Sequence, residues 1–347
     1  DFDSDGNANV SGEEGLGLAV GGNYSEIHHV AEIGMNATVD ATSISILAAG
    51  EDSQPYDYQA NASGGIRGVG VTGVGSVAVN AMKNTTAARI GEGADVTSAS
   101  YLEMFANVSD VEVMENGELA TVDAGGVSSV ANAGNAAVFG LGAAGASAAG
   151  AVTLDGDLVQ AAIAPGATVV ASGDVELIAE GNQVFTNVGN REPFVPPAGV
   201  SFSGSVGAAF TRTETAIDAR MQGDVTTVAG NIRLLADGTS TRESEAIALT
   251  AANEAAAGGS VVTNISRNTI SAVIESGSQV LGPFDIKLEA IDRSTIDADA
   301  KGAAAANLAG AAVSYASNIV ANTTIATIGG PETDVSVDGD VTITAVN

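Results

Sequence analysis

Residues 161–182 read AAIAPGATVVASGDVELIAEGN, and two short apolar patterns within them decide the fold. The first is Ala161-x-Ile163. The second is Val175-x-Leu177-x-Ala179, directly preceded by the turn-forming Ser172-Gly173-Asp174. The second pattern occurs six times: Ile44-Ile46-Ala48, Leu102-Met104-Ala106, Val175-Leu177-Ala179, Ile232-Leu234-Ala236, Ile286-Leu288-Ala290 and Val341-Ile343-Ala345. Its terminal alanines are 58, 73, 57, 54 and 55 residues apart. The first pattern precedes every copy, as Ala31/Ile33, Ala88/Ile90, Ala161/Ile163, Ala219/Met221, Ala272/Ile274 and Ala326/Ile328. From its Ile or Met to the terminal Ala the distance is always 15 to 17 residues.

Alternation with period two puts apolar side chains on one face of a strand and variable polar ones on the other. A single unit of this kind cannot bury its apolar face, whereas stacked units can. The pattern therefore predicts an all-β, elongated parallel β-helix (a β-solenoid) of six degenerate repeats of 54–73 residues. An acidic segment at 1–15 leads into an array at 16–347, with copies ending near 48, 106, 179, 236, 290 and 345. Each unit reads as a Gly/Ala-rich strand, an Asn-containing turn, the Ala-x-Ile strand, a Gly-Asp turn, the second apolar strand and a loop. At two or three rungs per copy, the array is expected to span about 60–85 Å for strands ~4.8 Å apart. The Gly/Ala runs at 136–151 and 302–312 are expected as strands, with a helix as the rival because Ala is the best helix former.

Composition narrows the function classes. Hydrophobic residues make up 45% but aromatics only 4%, Cys and Trp are absent, and Gly numbers 44, which suits thin repeating layers. The net charge of −30 disfavours nucleic acid and anionic membranes, which need clustered Lys and Arg. Two charge-free runs, 124–154 and 302–321, are long enough to span a bilayer. They are rich in Ala, Gly, Ser and Asn and hold equivalent repeat positions, so no membrane insertion is expected. No signal peptide opens the chain, and the last copy stops right after its strand, as in a piece of a longer array.

Segments such as GVGVTGVGSVAVNAMKNTTAARIGEGADVTS (68–98), SGDVELIAEGN (172–182), ASNIVANTTIATIGG (316–330) and DGDVTITAVN (338–347) carry a resemblance. They resemble the degenerate repeats of giant bacterial surface adhesins and filamentous-haemagglutinin-like exoproteins, from about Leu16 onward. Copies one, three and four depart from that pattern by lacking its Asn-Thr-Thr element. The resemblance implies a secreted, cell-surface β-helix with a structural and adhesive role, stalk-like or filament-forming. Expected partners are another copy or continuation of the array, or a cell-surface protein or glycan. It carries over no catalytic residue. The alternative is a polysaccharide-binding or polysaccharide-degrading β-helix, whose chemistry needs paired carboxylates in a cleft.

Few residues suggest chemistry. Asp1, Asp3 and Asp5 precede Gly6 as in the opening of a calcium loop, or else form a solvated acidic segment. His28 and His29 are the only histidines, and as strand neighbours they point to opposite faces. Variation in copy length concentrates after the second apolar strand, at 49–63, 107–126, 180–199, 237–245 and 291–300, read as loops on one binding face. Aromatics there, Tyr56, Tyr58, Phe185 and Phe194, are candidate contacts for a glycan or protein. Eight Asn-x-Ser/Thr sequons begin at Asn9, Asn23, Asn36, Asn61, Asn84, Asn107, Asn264 and Asn322 and serve either glycosylation or the repeat's own turns.

Overall fold

A computed structural model describes residues 2–12, 14–49, 58–68, 70–107, 112–115, 118–121, 126–133, 143–189 and 200–347. The described elements are all strands, and the chain winds through four parallel sheets in the same order in every copy. Sheet B holds the Gly/Ala-rich strands Gly15–Ser25, Val71–Met82, Ala143–Asp155, Val200–Thr213, Ala255–Ser266 and Ala309–Val320. Sheet C holds the Ala-x-Ile strands, from His28–Ile33 to Thr323–Ile328. Sheet D holds six four-residue strands, from Thr38–Ala41 to Asp334–Val337. Sheet A begins each time with the second apolar pattern, as in Ile232–Ala252 and Ile286–Ala306. The parallel β-solenoid follows, and both Gly/Ala runs are strand where they are described, apart from a bend at Asn307-Leu308.

Two expectations are corrected. Each copy is one coil, not two or three rungs: Ile90 pairs with Ile33 on one side and Ile163 on the other, one copy away each time. A full circuit consumes the copy because the sheet A strand is long and the chain must return along its whole length. The six coils therefore stack over about 24 Å, whereas a 21-residue strand such as Ile232–Ala252 extends ~70 Å. The body is long along its strands rather than along the stack. Small-angle scattering is expected to show a slab whose greatest dimension follows the strands; a rod lengthened along the stacking axis would contradict this.

The second correction concerns the proposed loops. Residues 237–245 and 291–300 lie within the strands Ile232–Ala252 and Ile286–Ala306, and 180–189 continue Val175–Gly189. Their inward side chains are small or polar, so they lack apolar alternation yet pair residue for residue, from Glu180↔Asp237 to Gly189↔Ala246. The junction 107–126 contains a short antiparallel hairpin, Glu112–Glu115 with Glu118–Thr121.

The cross-section has two parts. The first half of sheet A, with sheets C and D, encloses a triangular core of stacked equivalent positions, such as Ile90/Ile163/Met221/Ile274, Val96/Val169/Val225/Val280 and Leu177/Leu234/Leu288. These side chains are fully buried, and each contributes roughly 1.5–3 kcal/mol relative to exposure. The turn from sheet C to sheet D uses a left-handed residue in five coils, at Asn36, Gly93, Gly166, Gly277 and Glu332. In the other part, sheet B lies flat on the second half of sheet A. There the sheets touch backbone to backbone: a Cβ on Gly189 would sit 1.9 Å from the Ala208 carbonyl oxygen, and one on Gly207 2.6 Å from that of Ile247.

Candidate functional site

Between the flat sheets the interior is polar. Asn80, Thr153, Thr211, Asn264 and Asn318 are register partners along sheet B, and Ser129, Asn187 and Ser244 face them from sheet A. Asn80 Nδ2 donates to Ser128 O (2.7 Å) and Ser129 Oγ (3.1 Å), and Asn187 Nδ2 to Phe210 O (2.6 Å) and Thr211 Oγ1 (3.0 Å). Ser244 Oγ donates to Asn264 Oδ1 at 2.6 Å, and Asn264 Nδ2 donates to Asp297 O (2.7 Å) and Asn318 Oδ1 (3.0 Å). A buried amide has four hydrogen-bonding sites, and stacked copies supply their partners from coil to coil.

A second ladder runs along the corner between sheets B and C. Asn84 Oδ1 accepts from the Ile27 backbone N–H (3.1 Å), Asp157 Oδ1 from that of Asn84 (2.7 Å), and Asn322 Oδ1 from that of Asn268 (3.0 Å). Each coil thus caps the turn of the one before it. Four sequon asparagines, at 23, 84, 264 and 322, lie in these two ladders, and Asn264 is fully buried. In those ladders the asparagines serve the fold.

At this corner lies a dense group of buried ionisable residues. Asp155 accepts from Thr215 Oγ1 at 2.6 Å, and Asp157 accepts from Gln183 Nε2 at 2.8 Å. Arg242 is completely buried, its guanidinium carbon 5.9 Å from the Phe185 ring centroid, and its three nitrogens have no hydrogen-bond partner among the described residues. Burial, reinforced by Asp157, holds the Asp155 carboxyl well above the usual carboxylate range, and burial also raises Asp157. Burial lowers the Arg242 guanidinium to about 10, with Asp155 and Asp292 opposing the shift.

A carboxyl whose folded pKa exceeds its unfolded one keeps more protons in the folded state. Its contribution is most favourable at acid pH and declines as pH rises from the ordinary carboxylate range through the raised value. Asp155→Asn mimics the protonated form. It is expected to match the parent's stability below about pH 4 and to exceed it at neutral pH. Thermal melts of both proteins across that range check this; parallel curves would refute it.

The outer faces differ sharply. Sheet A carries ion pairs toward solvent, with Arg293 on Asp237 at 2.5 Å, Lys301 on Glu245 at 3.3 Å and Lys287 on Glu289 at 2.9 Å. The six strands of sheet B contain two charged residues: Asp155, buried inward, and Arg212, which pairs with Glu214. The outward positions are mostly Val, Leu, Ile, Ala, Gly, Phe and Tyr, among them the exposed Leu18, Phe202, Val206, Val261, Val313 and Tyr315, with Arg212, Thr263 and Ser317 toward the strand ends.

The residues singled out from the sequence are scattered. Asp3 and Asp5 sit exposed on the strand Phe2–Gly12, which pairs in unbroken register with Tyr58–Gly68. The segment is therefore extended and does not curl at Gly6 into a loop. Asp1, Tyr56 and Phe194 lie outside the described residues. Tyr58 opens its strand, its backbone partnered with Phe2 and Val127. Phe185 is not on a loop: it is fully buried within Val175–Gly189, one register step from Arg242. Glu26 lies 3.7 Å from the exposed His28. No helix among the described residues is long and apolar enough to cross a membrane.

Arg242 and the apolar outer face of sheet B went unremarked in the sequence. Aligning Phe185 with Arg242, one repeat apart, exposes the lone cation in an otherwise apolar column that continues to Ile296. Comparison with protein-family models, curated proteins and solved structures returns no match for this chain.

Proposed function

We propose that the chain is a structural, adhesive segment of an extracellular surface protein, acting through the broad faces of its coil stack. The observation that carries this reading is the division of its chemistry. Six equivalent coils bury hydrogen-bonding side chains in two ladders and present outward one ionic face and one apolar face with a single charged side chain, Arg212, within its strands. A protein built to be held against another surface needs large, uniform, rigid faces, and coil-by-coil repetition supplies them. The resemblance to bacterial adhesin repeats agrees with that role, and the charge of −30 suits solubility outside the cell.

The polysaccharide-degrading alternative draws little from the site. It needs two carboxylates open to a sugar, and the closely spaced Asp155 and Asp157 are both buried. The test is Fab labelling of unpermeabilised source cells, together with adherence assays after deletion of the gene. Surface labelling and a loss of adherence are expected. Labelling confined to permeabilised cells would overturn the proposal.

A further inference from the structure

The outer face of sheet B is broad for an uncovered surface. Six strands ~4.8 Å apart and about twelve residues long at ~3.3 Å each give roughly 1,100 Å². The largest apolar patch of an ordinary monomer is ~300–600 Å². A standard protein–protein interface takes ~800 Å² from each partner. The face thus has the extent of a full interface, and its exposed side chains include Phe202 (51%), Val206 (49%), Val261 (44%) and Tyr315 (56%).

We propose that a second copy of this chain docks there, sheet B against sheet B, about a two-fold axis. This rests on the proposed adhesive role and names the partner of the apolar face. Charge selects this occupant over an anionic one. At −30, the chain repels nucleic acid and acidic lipid, and it repels itself least through this face, whose only charged side chain within the strands, Arg212, stands at its edge paired with Glu214. Meeting through sheet B keeps the carboxylates on the outer face of sheet A of the two copies far apart.

Shape points the same way. The face is uneven: a trough of about 530 Å³, floored by Ala146, Gly204, Ala257 and Ala311, runs across the strands beside Phe202. Two residues further along the strands the register column reads Leu18, Gly75, Ala148, Val206, Gly259 and Val313, so that three large side chains project from it with small residues between them. Under a two-fold axis, the projecting Leu18, Val206 and Val313 of each copy face the trough of the other, as the self-complementarity of an isologous interface requires. Facing sheets pack in this aligned manner at about 10 Å separation.

Sedimentation equilibrium of the purified chain, from about 1 to 100 µM at low and high NaCl, tests the pairing. A monomer–dimer equilibrium is expected. It should tighten as salt screens the mutual repulsion, opposite to an interface held by ion pairs. Val206→Glu and Val261→Glu each place a carboxylate at mid-face on an outward position. Each should weaken association at least about tenfold while leaving circular dichroism and thermal melting near the parent's. Thr239→Glu, on the outer face of sheet A, should leave association unchanged.

A chain that stays monomeric at both salts, or variants that dimerise like the parent, would overturn the pairing. So would a monomer that floats with phosphatidylcholine vesicles and loses that binding with Val261→Glu, which would assign the face to lipid. These outcomes are separable from the adhesive role. A monomer that labels on the cell surface removes the pairing alone, and a dimer never found there removes the surface role alone.

Discussion

Gly189→Ala is expected to destabilise the fold by about 3 kcal/mol or more, seen as a lower urea midpoint at unchanged slope. The added Cβ would meet the Ala208 carbonyl oxygen at 1.9 Å and its carbon at 2.5 Å. Both are backbone atoms, so no side chain can swing away, and sheets A and B must separate locally. Parting them would also lengthen the hydrogen bonds of Asn187, two residues back, to Phe210 O and Thr211 Oγ1. Gly150→Ala is the control. It lies in the neighbouring coil of sheet B with nothing within 4 Å of its Cβ position. That variant should be neutral, or stabilising by about 0.5–1 kcal/mol through lower unfolded-state entropy. Equal behaviour of the two variants would mean that the sheets are not in backbone contact.

Asn264→Leu is expected to cost roughly 2–4 kcal/mol despite the close match in volume. It removes the acceptor for Ser244 Oγ and the donor to Asp297 O and Asn318 Oδ1, leaving three polar groups to find other partners between the sheets. Thr263→Leu, at the adjacent outward position of the same strand, should move the urea midpoint by well under half as much. A small effect at Asn264 would show that water can replace the ladder.

These expectations concern the parts of the fold that the sequence disclosed least. The triangular core was legible because Leu177, Leu234 and Leu288 each sit two residues after another apolar residue with a charged one between, and recur every 54–57 residues. Sheet D was not, since a four-residue strand such as Thr168–Ala171 turns only Val169 and Ala171 inward and carries no periodic signal. The second half of sheet A was misread as loop for a physical reason. Its inward residues, such as Ser240, Arg242 and Ser244, are polar and face other polar groups or Phe185, so DGTSTRESE at 237–245 reads as solvent-exposed. With that half missing, the length of one circuit was underestimated and the rungs per copy overcounted.

The apolar face was hidden differently. Its strands alternate between Ala, Ser or Asn inward and Val, Gly or Ala outward, so neither side announces itself by charge. The sequence displayed charge-free runs, but only the register distinguishes the side that meets sheet A from the side that meets nothing. Phe185 was recognised as an unusual aromatic, yet its burial beside Arg242 depends on a partner one coil away.

One coil per copy has a consequence for how such a chain can grow. Duplicating a unit of about 55 residues raises the stack by a single strand spacing, ~4.8 Å, whereas an α-helix of equal length would reach ~80 Å. Gene duplication is thus a poor route to distance here. The same step widens sheet B by a strip of roughly 190 Å² for a twelve-residue strand. Selection on copy number would therefore tune grip rather than reach, with each added unit supplying about a quarter of what one side of an ordinary interface requires.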